Sequence, residues 1–467
     1  MALDERASPA LPVSIEPPDD VLGPWAAWRA ARRDLIGIIP RAAYHETMLA
    51  GGGAFGRGGP AEWIMVMDPA GLDHVLRTKA SNYPRSPFTL RILKPREGDS
   101  LFTADEETWR WQHRAMTPVF NARNLAGLAP LMTRVATDTT ARIAAQSPGP
   151  VDLYPEMVRA TADVICDAAL SGRESLDRDA LAQGISEFLS TVARVSLLDI
   201  LGVPTWVPRP SRLFDRSARR MDDRMDAVVQ ARQARGPSDP PDLLDLLINA
   251  RDPGDGQDAG RGMDPISVRN NLLAFIIAGH ETTALALTWA LYLLAWDESV
   301  QERARAEVLA ATDGPARHDD LAAMPFLRQV LEEALRLYPP AGLLTKGAVE
   351  EDEILGIRVR PGTTIMLPIW AIHRHRKLWD APDDFDPDRF APAAKAARNR
   401  SSFLPFSAGP HFCIGMNFAL MEAQIILASL LRDLRFRLVP GFTPEPRLVF
   451  TLRPANGMLL DVARIGA

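Results

Sequence analysis

Phe406-Ser407-Ala408-Gly409-Pro410-His411-Phe412-Cys413-Ile414-Gly415 is the stretch on which the reading of this chain turns. Gly409 and Pro410 mark a loop, and the run Ile414–Arg432, rich in Ala, Leu, Ile and Met, predicts a helix directly after it. Cys413 is therefore expected at a helix N-terminus, where unpaired N–H groups and the helix dipole favour a thiolate. Gly415 has no side chain, so a flat ligand can approach the backbone closely. No second cysteine lies near enough for a C-x-x-C pair. The competing reading is a small buried cysteine in a core helix.

The pattern F-x-x-G-x-[HR]-x-C-x-G resembles the haem-binding loop of the cytochromes P-450, the haem-thiolate monooxygenases. The resemblance implies haem b as cofactor and Cys413 as the proximal iron ligand, whose thiolate pushes electron density toward O–O cleavage. It also implies that Phe406 and Gly415 lie against the haem. The fold it implies is mainly α with a minor β region, a single triangular haem domain with a long central helix, over residues 21–467. Residues 1–20 are expected to form a disordered extension.

Length and composition allow a large buried core. The 467 residues are 46% hydrophobic, and the net charge of −6 argues against a nucleic-acid-binding protein. Two cysteines give no disulfide framework, as expected in a reducing compartment. Residues 1–24 have neither the basic stretch nor the apolar run of a signal peptide or anchor, so a cytoplasmic location is expected. Cys166, in the amphipathic stretch Tyr154–Leu170, reads as core.

Along the chain, a short helix is expected around Trp25–Leu35, a strand at Glu62–Met67, and a helix opened by Asp68-Pro69 and ending near Arg77. Asn82–Ser100 reads as loop. The region Asp105–Leu247 is mostly helical, and Arg251–Asp264 is a connector. Pro265 starts a helix to about Trp296, and a further helix covers about Ala323–Leu337. In Lys346–Leu367 a hairpin is expected at Pro361-Gly362. Strand and loop follow Phe436.

Ala278-Gly279-His280-Glu281-Thr282-Thr283 lies near the middle of the long helix. Gly costs about 1 kcal/mol in a helix interior, and a Thr there can bond a carbonyl one turn back. Such local conflicts concentrate at functional sites. The hexapeptide is similar to the family's oxygen-activation motif. That implies Thr282 as the hydrogen-bonding partner of dioxygen and Glu281 as the feed of protons. His280-Glu281 also begins like H-E-x-x-H, but Ala284 ends that reading.

Glu333 and Arg336 share a helix face at i, i+3, and Pro387-Asp388-Arg389-Phe390 resembles a second family motif. Together they imply a structural network of Glu333, Arg336 and Arg389 that holds the Cys413 loop. The resemblance further implies propionate partners in His411, Trp109 and Lys346. At the fourth place of the W-x-x-x-R pattern stands His113, followed by Arg114, so that contact is shared between two candidates. Ala274, Phe275 and Ala278 lie on the helix face of Thr282 and are expected to line the distal pocket. By family analogy so do Phe88–Phe102, the Ala341–Thr345 stretch with Leu343, and the Phe450-Thr451-Leu452 turn. The last two stretches carry no charge, which points to a lipophilic substrate.

No flavin or iron–sulfur motif is present, so electrons are expected from a separate ferredoxin or flavodoxin with its reductase. Arg110, Arg114 and Arg123 are the expected contacts. Insertion of one atom of O2 into a lipophilic molecule is the function implied. A peroxide-driven peroxygenase and a haem-based sensor are the alternatives. Gly51-Gly52-Gly53-Ala54-Phe55-Gly56 matches G-x-G-x-x-G outside any βαβ context. His373-Arg374-His375 reads as a charged turn, lacking a second ligand cluster for a metal.

Overall fold

Short strands bring the early and late parts of the chain together, and helices fill the space between them. The computed structural model describes residues 12–51, 63–170, 217–239, 241–255 and 258–465. Helix α1 (Pro24–Arg33) precedes strands β1 (Met48–Gly51) and β2 (Trp63–Val66). Helices α2 (Pro69–Asp73), α3 (Pro87–Glu97), α4 (Glu106–Met116) and α5 (Ala122–Gln146) follow, then β3 (Gly149–Asp152) and α6 (Leu153–Leu170). Helices α7 (Ser217–Arg235) and α8 (Leu243–Ile248) lead to the longest, α9 (Pro265–Trp296). After α10 (Glu298–Ala311) and α11 (Pro325–Leu337) come β4 (Leu344–Gly347), β5 (Asp352–Ile354), β6 (Ile357–Val359) and β7 (Thr364–Leu367). The chain closes with α12 (Ile369–Ile372), α13 (Pro392–Ala397), α14 (Met416–Asp433), β8 (Leu434–Leu438), β9 (Pro446–Leu448), β10 (Leu452–Pro454) and β11 (Leu459–Arg464).

Helix α9 organises the core. Asp264 caps it by accepting the Ser267 N–H at 2.7 Å, and Pro265 sits in its first turn, where its missing N–H costs nothing. Its 32 residues span about 48 Å. It is apolar on every side and packs against α6, α7, α11 and α14, as a fully surrounded helix must. By length and composition it could cross a membrane, but 83% of its most apolar window is buried inside the protein.

Strand order in the larger sheet is β1-β2-β7-β4, with β2 parallel to β7 and the other pairs antiparallel. Trp63 pairs with Thr364, so the sheet joins segments about 300 residues apart. The second sheet, β3-β11-β8, is antiparallel and ties the start of α6 to the C-terminal strand. Strands β9 and β10 form a hairpin with Leu448 opposite Leu452.

Two expectations change. Asn82–Ser100 is not loop throughout: Ser86 caps α3 by accepting the Thr89 N–H at 3.2 Å, and Pro87 follows as first residue. The tight hairpin turn lies at Leu355-Gly356, between β5 and β6, whereas Pro361-Gly362 links β6 to β7. The helical stretch opened by Asp68 ends near Arg77 as expected, its first part α2 passing at His74 into a wider π turn through Thr78. Within the expected extension, Val13 donates its N–H to the Tyr292 hydroxyl (3.0 Å) and accepts from Tyr338 (2.6 Å). Residues 1–11 lie outside the described residues, as does all of the glycine-rich run after Gly51. Cys166 is buried on α6.

Candidate active site

The Cys413 loop is fixed by its own backbone. Cys413 N–H donates to the Phe406 carbonyl (3.0 Å), Phe412 N–H to Gly409 (3.1 Å) and Ser407 N–H to Leu404 (3.1 Å). Gly409 has φ +70°, and a Cβ there would overlap the Leu76 carbonyl oxygen, so only glycine fits. Behind the loop, Phe403, Phe406 and Met416 pack on a small apolar cluster of Ala286, Leu335 and Leu420, which come from α9, α11 and α14. Cys413 itself is exposed. Helix α14 starts at Met416 with Gly415 as its cap, so the sulfur stands just outside the first turn. Protein packed around the loop pushes its thiol pKa up, and the Gly415 N–H only partly offsets this. Desolvation by the surrounding protein therefore opposes the thiolate-favouring effect expected of the helix end.

Beside this loop lies a cluster of crowded cations. Lys346 Nζ donates to His411 Nδ1 at 3.0 Å, and the Trp109 ring packs edge-on against His411 (4.3 Å) and beside His113 (4.8 Å). The Arg85 guanidinium lies 6.0 Å from the Trp109 ring. Burial, with Arg85 close by, lowers Lys346 to about 8. The same two causes lower His113, and burial lowers His411. Glu106 sits 2.9 Å from His411 Nε2 but in poor alignment, so that buried nitrogen has no well-formed hydrogen bond. A desolvated group of cations with an under-used donor fits the carboxylates of a dianionic ligand. Arg114 is elsewhere: its guanidinium grips Asp252 at 2.5 Å. Of the two candidates after Trp109, His113 is the one the structure places in the cluster.

The other chemical group sits on α9. The helix runs unbroken through Gly279, and Thr282 donates its hydroxyl to the Ala278 carbonyl at 2.7 Å. Glu281 is buried and its carboxylate is fully engaged. It accepts from Thr451 Oγ1 (2.9 Å) and Tyr154 Oη (3.3 Å), and Arg453 Nε lies 2.7 Å away. Sequence reasoning missed these three partners, which lie 127 to 172 positions from Glu281 and carry no motif. His280 is buried with both ring nitrogens unpartnered, and burial pushes it down to about 4. Ala274 and Phe275 are buried, and Phe275 packs edge-on against Phe120 at 5.3 Å. Leu343 and Ala278 are half-buried.

The charge network is tight at one end and loose at the other. Arg336 forms a two-pronged pair with Glu333 (2.6 Å each) and donates to the carbonyls of His373, Pro382 and Asp384, all with no solvent exposure of either side chain. Arg389 approaches Glu333 at only 3.5 Å and spends its other nitrogens on the carbonyls of Asp380 and Ala381. His373-Arg374-His375 lies at a turn, and all three side chains are buried. Among the described residues, no group of three or more His, Cys, Asp or Glu could hold a metal ion. A surface groove lined by Thr140, Ser429, Arg432 and Arg464 shares no residue with this site.

The chain is similar to known proteins in sequence and in fold. The profile of the family described as Cytochrome P-450 matches residues 56–460. A cytochrome P-450 of Mycobacterium tuberculosis is 31% identical over 420 residues, covering 85% of this chain and 87% of its own. Cyclooctatin synthase of Streptomyces melanosporofaciens is 32% identical over 366 residues, covering 77% and 78%. The crystal structure of the haem domain of cytochrome P-450DA superposes with a TM-score of 0.76 at 24% identity, covering 90% of this chain and 89% of that one.

Proposed function

The chain belongs to the cytochrome P-450 family, and on that premise we propose that it inserts one atom of O2 into a C–H bond or alkene of a lipophilic molecule, with electrons from a ferredoxin or flavodoxin. It is a haem-thiolate monooxygenase in class. Haem, when bound at Cys413, supplies the iron at which dioxygen is activated. His411, Lys346, His113 and Trp109 would hold its propionates. Phe406 and Gly415 would face the ring from the cysteine side and Ala278 from the other. Ala274, Phe275 and Leu343 are the proposed pocket contacts.

The single observation that carries the oxygenase reading is the pairing of an acid with an alcohol at the centre of α9. Thr282 has a hydroxyl that both accepts and donates, and its present bond to Ala278 can be exchanged for one to a ligand. Glu281 is the neighbouring acid, with the Arg453 guanidinium 2.7 Å away. Splitting dioxygen consumes two protons, and a gas sensor needs neither group. Glu333, Arg336 and Arg389 are structural: they fix the segment under the cysteine loop.

Turnover of a substrate found by its shift of the haem Soret band tests the reading. Thr282→Ala should divert electrons from product to hydrogen peroxide. Product formation driven equally well by hydrogen peroxide in wild type and variant would favour the peroxygenase. For the electron donor, exposed Arg110 and Arg123 are the contacts we propose; Arg114 is neutralised by Asp252. Charge reversal at Arg110 and Arg123 should slow reduction, and an unchanged rate would place the donor elsewhere.

A further inference from the structure

We infer that the β9–β10 hairpin is part of the proton-delivery apparatus: Thr451 and Arg453, with Tyr154 of α6, are positioning residues that hold the Glu281 carboxylate apart from Thr282 and connect it to the surface. The inference rests on the oxygenase reading and deepens it.

Consecutive side chains on a helix do not face each other. Glu281 therefore points to one side of α9 while Thr282 bonds down its own helix to Ala278. The carboxylate is met by donors from two other elements. Tyr154 Oη donates from α6 at 3.3 Å, Thr451 Oγ1 from the hairpin at 2.9 Å, and Arg453 Nε lies 2.7 Å away. Arg453 Nε also donates to Thr451 Oγ1 at 3.2 Å, so the two hairpin residues act as one unit. The hairpin they belong to is anchored: Trp289 Nε1 of α9 donates to the Leu452 carbonyl (3.0 Å), and Leu452 N–H donates to Pro340 (3.0 Å).

A second observation supports a path from the acid to the surface. The Arg453 side chain is 30% exposed, whereas Glu281 is 4% exposed. Arg453 Nη2 and both ring nitrogens of His280 are buried without a protein partner. The surroundings of the acid thus have donors and acceptors to spare for the water molecules that a proton path requires. Phe450, at the tip of the hairpin beside Thr451, is 40% exposed.

The test begins with a measurement independent of turnover. A double-mutant cycle in urea unfolding, with Glu281→Gln, Arg453→Gln and both together, should show coupling of roughly tenfold in the unfolding constant, as for a charge-assisted bond. The second measurement uses holoenzyme with NADPH, a ferredoxin and its reductase and no organic substrate, and reads the share of electrons recovered as hydrogen peroxide and the solvent isotope effect. Arg453→Gln and Thr451→Val should change both, and Arg453→Lys should largely restore them. Absence of coupling in the cycle overturns the inference. So does coupling with an unchanged peroxide share in Arg453→Gln while Thr282→Ala changes it; the oxygenase reading then stands alone. If Thr282→Ala changes nothing either, both fall.

Discussion

His373 and Arg336 are bonded in both directions: the Arg336 guanidinium donates to the His373 carbonyl at 3.0 Å, and His373 Nδ1–H donates to the Arg336 carbonyl at 3.2 Å. The other ring nitrogen, Nε2, accepts the Leu404 N–H at 2.9 Å. That donor fixes the tautomer, since Nε2 must be unprotonated to accept. A neutral imidazole thus joins the Glu333–Arg336 pair on α11 to the start of the cysteine loop. His373→Phe removes the ring nitrogens and orphans the Leu404 N–H and the Arg336 carbonyl. The expected loss is about 1–3 kcal/mol per buried group, read from urea unfolding. Arg336→Lys cannot reproduce the fork and should cost about 3–5 kcal/mol. Both variants should also retain less haem after gel filtration.

The same histidine sets an acid limit. Burial, reinforced by Arg336, lowers His373 from 6.5 to about 3, and burial lowers His280 to about 4. Unfolded, each takes up its proton near 6.5; folded, each resists until far lower pH. The unfolded chain therefore binds more protons across this window, and stability falls as pH falls from 6.5 toward 4. Above 6.5 neither group contributes a slope. Unfolding free energy measured against pH should lose about one proton of slope in His373→Phe and about one more in His280→Leu. An unchanged slope in both would mean that these rings are protonated in the folded protein.

Much of this was legible because it is local. Asp264-Pro265 states the start of α9, and the apolar run states its length; Glu333 and Arg336 meet because three positions on a helix share a face. Helix α3 was hidden, because Phe88–Glu97 shows little amphipathic periodicity and only Ser86-Pro87 announces it. Arg389 was placed in the network by analogy, yet its reach to Glu333 is 3.5 Å, since nearby carbonyls compete for it. What could not be read was the pairing of Glu281 with Thr451 and Arg453. Those contacts depend on how the hairpin docks on α9, and no spacing rule connects residues so far apart in sequence.

The cation cluster predicts which basic residues retain haem. Lys346→Met and His411→Leu each remove a donor that has few competing anions around it. Each should speed haem transfer to apomyoglobin by roughly tenfold, the worth of one hydrogen bond to a charged group. Arg114→Gln should leave the transfer rate unchanged, because that guanidinium is committed to Asp252. Faster haem loss in Arg114→Gln, equal to that of Lys346→Met, would mean that Arg114 abandons Asp252 when haem binds.

Gly409 and Ser407 make an opposed pair within the cysteine loop. Both have positive φ, +70° and +60°. At Gly409 an added methyl would overlap the Leu76 carbonyl oxygen, a backbone atom that no rotamer change can move aside. Gly409→Ala should therefore displace either the loop or the 74–78 turn, at a cost above the roughly 1–2 kcal/mol of left-handed strain alone. Ser407 already bears that strain, so Ser407→Gly should stabilise the fold by up to about 1 kcal/mol. Urea midpoints give the two signs, and the absorption band of the reduced, CO-bound protein reports whether cysteine still ligates the iron. Gly409→Ala should lose that band while Ser407→Gly keeps it. Retention of the band in Gly409→Ala at wild-type stability would show that the close approach to Leu76 does not fix the loop.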